Sequence, residues 1–145
     1  MRVIIFWAIL FLIALYAFRR GEKPERIMAC TMVSMILADL SLHLVTTNTD
    51  TIINMAHLIL DTLMWVIFVG LALKANRLWT LMVAALQTVT LCSHIARIFS
   101  IDINAQAYGI MQVAAAYPML LILAIGTWRH QQRQMQMGND PSWSV

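Results

Sequence analysis

Short polar breaks cut this chain into apolar stretches about as long as a bilayer is thick, and that pattern limits its fold more than any single residue does. Crossing about 30 Å of hydrocarbon takes roughly 20 mostly apolar residues in a helix, because a backbone in lipid must satisfy its own N–H and C=O groups. Five such stretches fall at about 2–18, 25–45, 51–73, 78–99 and 106–128. The breaks between them are short enough to make consecutive helices antiparallel neighbours. The expected fold is all-α: a polytopic membrane protein with an antiparallel bundle of five transmembrane helices over 1–128 and a polar cytoplasmic tail over 129–145.

Composition agrees. Hydrophobic residues make up 61% of the chain and charged ones only 12%, so most of the apolar surface needs a solvent other than water. A formal charge of +3 raises the question of nucleic acid, but the basic residues sit in short runs between apolar stretches, where they orient a chain in a bilayer. Arg19, Arg20, Lys23, Arg26, Lys74, Arg77, Arg129 and Arg133 fall on one side of a five-crossing fold; only Arg2 and Arg97 fall on the other, near Asp50 and Asp102. Short loops rich in Lys and Arg stay cytoplasmic, which places the N-terminus outside and the C-terminus in the cytoplasm. Size and loop economy favour a bacterial inner membrane.

The first stretch has the length of a secretory signal. Its charge is heavier after the apolar run than before it, and Tyr16-Ala17-Phe18-Arg19 has no small-x-small cleavage pattern, so it is expected to stay as a transmembrane helix. Cys30 and Cys92 lie inside apolar stretches without the spacing of a redox or metal motif, and are expected to act as small buried hydrophobes. Trp79 and Trp128 fit interfacial belts.

Ionisable groups inside a bilayer cost about 2.5 to 3.5 kcal/mol each on insertion scales, so those present usually face the bundle interior and have partners. The second stretch carries Asp39 and His43 one turn apart; the third carries Asn54, His57 and Asp61 at helical spacing; the fourth carries Gln87, Thr90, His94 and Arg97; the fifth carries Tyr108 and Gln112. At about 1.5 Å per residue, His43, His57 and His94 share one level, roughly 5 to 10 Å below the outer boundary. The inward halves of the helices read as almost wholly apolar.

Three site readings follow from these residues. His43, His57 and His94 could hold a transition metal or a haem, with Asp39 or Asp61 as a fourth ligand or as an orienting carboxylate. The same groups, with Gln87, Arg97, Tyr108 and Gln112, could relay protons or another cation. Alternatively they are interhelical glue, Asp39 pairing with His57 and Asp61 with Arg97. Met28, Met32 and Met35 at helical spacing suggest a Cu(I) path, though packing explains them more simply.

Catalytic motifs are missing: the sequence has no phosphate-binding glycine loop, nucleophile elbow or His-Glu-x-x-His pattern, and Ser93 and His94 are adjacent on a helix, pointing about 100° apart. The expected function is therefore a non-enzymatic subunit or accessory factor that contacts lipid and other membrane proteins or itself. Metal, haem or proton handling is the alternative, and a membrane-embedded hydrolase ranks third.

Overall fold

The structure, a computed structural model, describes residues 2–45, 50–75, 77–99 and 105–138. It contains five α-helices in that range: α1 (Arg2–Arg20), α2 (Lys23–Val45), α3 (Asp50–Lys74), α4 (Leu78–Phe99) and α5 (Ala105–Met137). Three of them hold segments long and apolar enough to cross a membrane: Lys23–Leu44, Met55–Lys74 and Leu78–Ala96. Each helix packs on its neighbours in sequence, α5 returns to α1, and α2 also touches α5, which closes the bundle into a ring.

Local chemistry sets the helix ends. Gly21 follows α1 at a point where an added Cβ would stand 2.6 Å from the Ala17 carbonyl oxygen and 2.7 Å from Glu25 Cβ, so only glycine lets the two helices meet this closely. The Glu25 carboxylate then accepts a hydrogen bond from the Glu22 backbone N–H at 3.1 Å, the reach-back half of a capping box, and Pro24 occupies the first turn, where its missing N–H breaks no helical bond. Arg26 Nε locks the corner by donating to the Gly21 carbonyl at 3.1 Å.

The apolar core lies in the half of the bundle nearest the α1–α2 and α3–α4 links, here termed the basic end. Leu10, Ala14 and Ala17 of α1 meet Met28, Ala29 and Met32 of α2, Phe68 and Leu71 of α3 with Ala75 just past its end, Val83 and Ala84 of α4, and Met119, Leu120 and Leu123 of α5. Outward faces are apolar as well, with Leu44 and Leu73 each 77% exposed and Leu78 82% exposed, the reverse of a water-soluble surface. Both cysteines are free and exposed, so they sit on that outer surface and not in the core as expected.

Helix α5 departs most from its expected bounds. It continues through Pro118 and past position 128 to Met137, 33 residues or about 50 Å. Its extension is held on one side: Thr127 and His130 are buried, and Tyr16 Oη donates to Gln131 Oε1 at 3.2 Å, tying it to α1. Gly138, at φ 69°, ends the helix by donating its N–H to the Gln134 carbonyl. Nearer its start, Tyr117 meets Phe6 edge-on, with ring centroids 5.2 Å apart. Trp79 packs against Gly126, where a Cβ would lie 3.0 Å from Nε1, so this indole lies in the α4–α5 contact, while Trp128 is exposed.

Candidate functional site

At the end opposite the basic one, α3 presents His57 and Asp61 one turn apart, and each finds a partner on a different neighbour. His57 Nε2 donates to Asp39 Oδ1 of α2 at 2.6 Å. One turn further along α3, Asp61 Oδ2 accepts from His94 Nε2 of α4, also at 2.6 Å. The two pairs are crossed in sense: α3 supplies the imidazole to α2 and the carboxylate to α4. Gln87 completes the second pair, its Nε2 donating to Asp61 Oδ1 at 3.0 Å and to the Asp61 carbonyl at 3.2 Å. Gln87 is fully buried, and its Oε1 has no hydrogen-bond partner among the described residues.

His43 joins the first pair from the same face of α2. Its Nε2 lies 3.7 Å from Asp39 Oδ1, and its ring is tilted 53° to that of His57 with centroids 5.5 Å apart. One ligand-type atom from each of Asp39, His43 and His57 falls within 4.8 Å of the others. His94 stands outside that group, 3% exposed and bonded to Asp61. The structure therefore brings together two of the three histidines expected to share a site, plus a carboxylate, and gives the third its own carboxylate. The Asp39–His57 contact is as expected. Asp61 is met by His94 and Gln87, while the side chains of Arg97, Tyr108 and Gln112 lie outside the described residues.

Two of the three methionines proposed as a copper path are core residues: Met28 is fully buried and Met32 is 4% exposed, both packed with α1 and α5 side chains in the apolar cluster at the basic end. Packing accounts for them. Ser93 Oγ donates to the Thr90 carbonyl at 2.6 Å, so its hydroxyl is engaged with its own helix.

The basic end is not wholly apolar, contrary to the sequence reading. Arg77, in the α3–α4 link, is 6% exposed and reaches three groups from two other helices' neighbourhoods. Its Nη2 donates to Glu22 Oε2 at 3.3 Å and to His130 Nδ1 at 3.1 Å, and its Nε stands 3.9 Å from Glu25 Oε1. Glu25 is fully buried and His130 is 2% exposed. Periodicity offered a signal for this cluster. On α5, Leu123, Thr127 and His130 continue the buried face at steps of four and three, and on α4 the stripe through Gln87 extends back to Thr80, all buried.

Compared with known proteins, the chain matches no family model, no curated protein and no solved structure.

Proposed function

We propose that the chain crosses a membrane five times, with its N-terminus outside, and that it handles protons through the crossed Asp39–His57 and Asp61–His94 pairs. The observation that carries this reading is that both pairs share α3, so a proton leaving one Asp–His contact finds the next within a single helical turn. Carboxylate and imidazole are the side chains best suited to pass protons near neutral pH, and ionisable groups retained inside apolar helices commonly mark such relays. Gln87 Oε1 extends the line inward as a buried acceptor with no partner among the described residues. Beyond it the buried face of α4 passes Ala84 and Val83 to Thr80 and then to the Arg77–His130–Glu25 cluster. The apolar step between Gln87 and Thr80, seven residues or about 10 Å, is where water would have to enter for a proton to cross.

Orientation rests on the basic end, whose eight Lys and Arg residues would face the cytoplasm. Single cysteines in a Cys30→Ser, Cys92→Ser background test it: Thr47→Cys should react with an impermeant maleimide in intact cells, and Lys23→Cys and Arg129→Cys only after permeabilisation. The relay itself is tested in proteoliposomes carrying a pH-sensitive dye. The wild type should dissipate an imposed pH gradient, and Asp39→Asn or Asp61→Asn should return the rate to that of protein-free vesicles. Equal rates for the wild type and both variants would remove the relay.

A second reading, an accessory subunit without ion chemistry, is favoured by one feature. The outer surface between α1 and α2 holds an open, mostly apolar hollow of about 330 Å³ lined by Phe18, Cys30, Thr31, Val33, Ser34 and Leu37, room for a side chain from a partner. Crosslinking from Cys30 in native membranes distinguishes the two: a discrete adduct together with inactive proteoliposomes supports the subunit.

A further inference from the structure

From the geometry around Asp39 we infer a binding site for a divalent transition metal of the zinc class, with Asp39 and His43 of α2 and His57 of α3 as its protein ligands. This rests on the reading of Asp39–His57 as a cation-handling contact and not as a clamp between helices.

Spacing comes first. Two atoms each bound at about 2.0 to 2.1 Å to a tetrahedral ion stand roughly 3.4 Å apart. The Asp39 Oδ1 atom lies 2.6 Å from His57 Nε2 and 3.7 Å from His43 Nε2, values that bracket this separation. The remaining separation, between the two imidazole nitrogens, is within 4.8 Å, so binding an ion requires side-chain rotations that open the shortest of the three distances and close the longer ones. Asp39 and His43 are four residues apart on α2, the spacing at which one helix offers two ligands from the same face, and α3 supplies the third from across the interface.

Ligand type narrows the choice of ion. Two imidazoles and one carboxylate suit Zn²⁺ and its neighbours in the first transition row, whereas Cu(I) wants thiolate or thioether sulfur and none belongs to the group. Magnesium and calcium prefer all-oxygen shells. Three protein ligands leave a fourth position open, as in sites that exchange water or an incoming ligand and unlike the closed shells of structural zinc.

Access agrees with exchange. The His43 side chain is 50% exposed and that of Asp39 45%, so an ion reaches the site from the end of the bundle without unfolding it. The His94 imidazole is buried on Asp61 and takes no part in the site.

The test uses the full chain purified in mild detergent, stripped with a chelator and titrated with Zn²⁺ alone, with Co²⁺ as a spectroscopic substitute. The wild type should bind about one Zn²⁺ per chain, and Co²⁺ should give the visible absorption of a four-coordinate site. His43→Gln should weaken Zn²⁺ binding by more than roughly a hundredfold, beyond the loss of about 10- to 100-fold seen when only an outer partner of a ligand is removed. His43 is exposed and among the described residues its contact with a carboxylate is the 3.7 Å approach to Asp39, so this variant keeps the fold, and His94→Gln is the control that should bind as the wild type does. No stoichiometric Zn²⁺, undiminished binding in His43→Gln, or binding that follows His94 would each overturn the site. Failure here is separable from failure of the relay: absent Zn²⁺ binding with proton flux still dependent on Asp61 overturns only the metal site. Flux indifferent to Asp61, with Zn²⁺ bound through His43, overturns only the relay.

Discussion

His94 Nε2 lies 2.6 Å from Asp61 Oδ2, and this contact joins α4 to α3 at the level where the apolar core of the bundle has given way to polar side chains. Gln87 grips the other carboxylate oxygen from one helix face below. The three side chains form an enclosed polar group in the half of the described structure opposite the basic end, with Gln87 and His94 both buried.

Breaking this contact is expected to have a small effect on stability and a large one on proton movement. Interhelical polar contacts in membranes contribute about 0.6 kcal/mol on average and at most roughly 2. A double-mutant cycle of Asp61→Asn and His94→Gln, read by thermal denaturation in detergent, should give a coupling in that range. A coupling near 4 kcal/mol would mark the pair as a structural keystone.

The basic end is expected to be more sensitive. Removing one member of a buried ion pair strands the other, at about 3 to 5 kcal/mol. Glu25→Ala removes the 3.9 Å approach of its carboxylate to Arg77 Nε and the reach-back bond to the Glu22 N–H, while Arg77 keeps Glu22 at 3.3 Å and His130 at 3.1 Å. We expect a loss of about 3 kcal/mol, against a change within about 0.5 kcal/mol for exposed Lys23→Ala. Comparable melting temperatures for the two variants would show that Glu25 is not held as described.

Two glycines should respond to alanine in opposite directions. At Gly21 the new Cβ meets a backbone oxygen at 2.6 Å, so overpacking costs about 1 to 3 kcal/mol. At Gly70, inside α3, nothing lies within 4 Å, and Gly70→Ala should be neutral or stabilise by up to about 1 kcal/mol through helix propensity. Melting curves of the two variants decide this.

Metal binding should weaken on acidification. Imidazole and carboxylate ligands must shed protons before they bind an ion, so Zn²⁺ affinity should fall as pH is lowered from 7.5 towards about 5.5. Affinity unchanged over that interval would point to ions held by oxygen atoms elsewhere.

Hydropathy made the helices legible, and four of the five end within two residues of their expected bounds. The exception, α5, runs on because Thr127 and His130 still face inward while Arg129 and Gln132 face out; average polarity rises there although the periodicity holds. Among the described residues, Asp39 with His43, His57 with Asp61, and Gln87 with His94 were legible as pairs spaced to share a helix face. What a stripe does not reveal is the rotation of its helix relative to a neighbour. That rotation decides whether His94 meets His57 or Asp61, and here it assigns His94 to the carboxylate. The buried Arg77 was hidden for another reason: an arginine in a short link reads as a loop cation, and its burial depends on Glu25 and His130 arriving from distant parts of the chain.

The separation of Glu25 from its partners also has a consequence in time. Its carboxylate is synthesised some fifty residues before Arg77 and about a hundred before His130, so a growing chain carries, at the start of α2, an acid without the cation it packs against in the finished fold. Completion of the α3–α4 link supplies that cation, and the arrival of α5 covers it. A stalled or truncated chain thereby leaves the Glu25 side chain without the Arg77 and His130 neighbours among which it is buried in the finished fold.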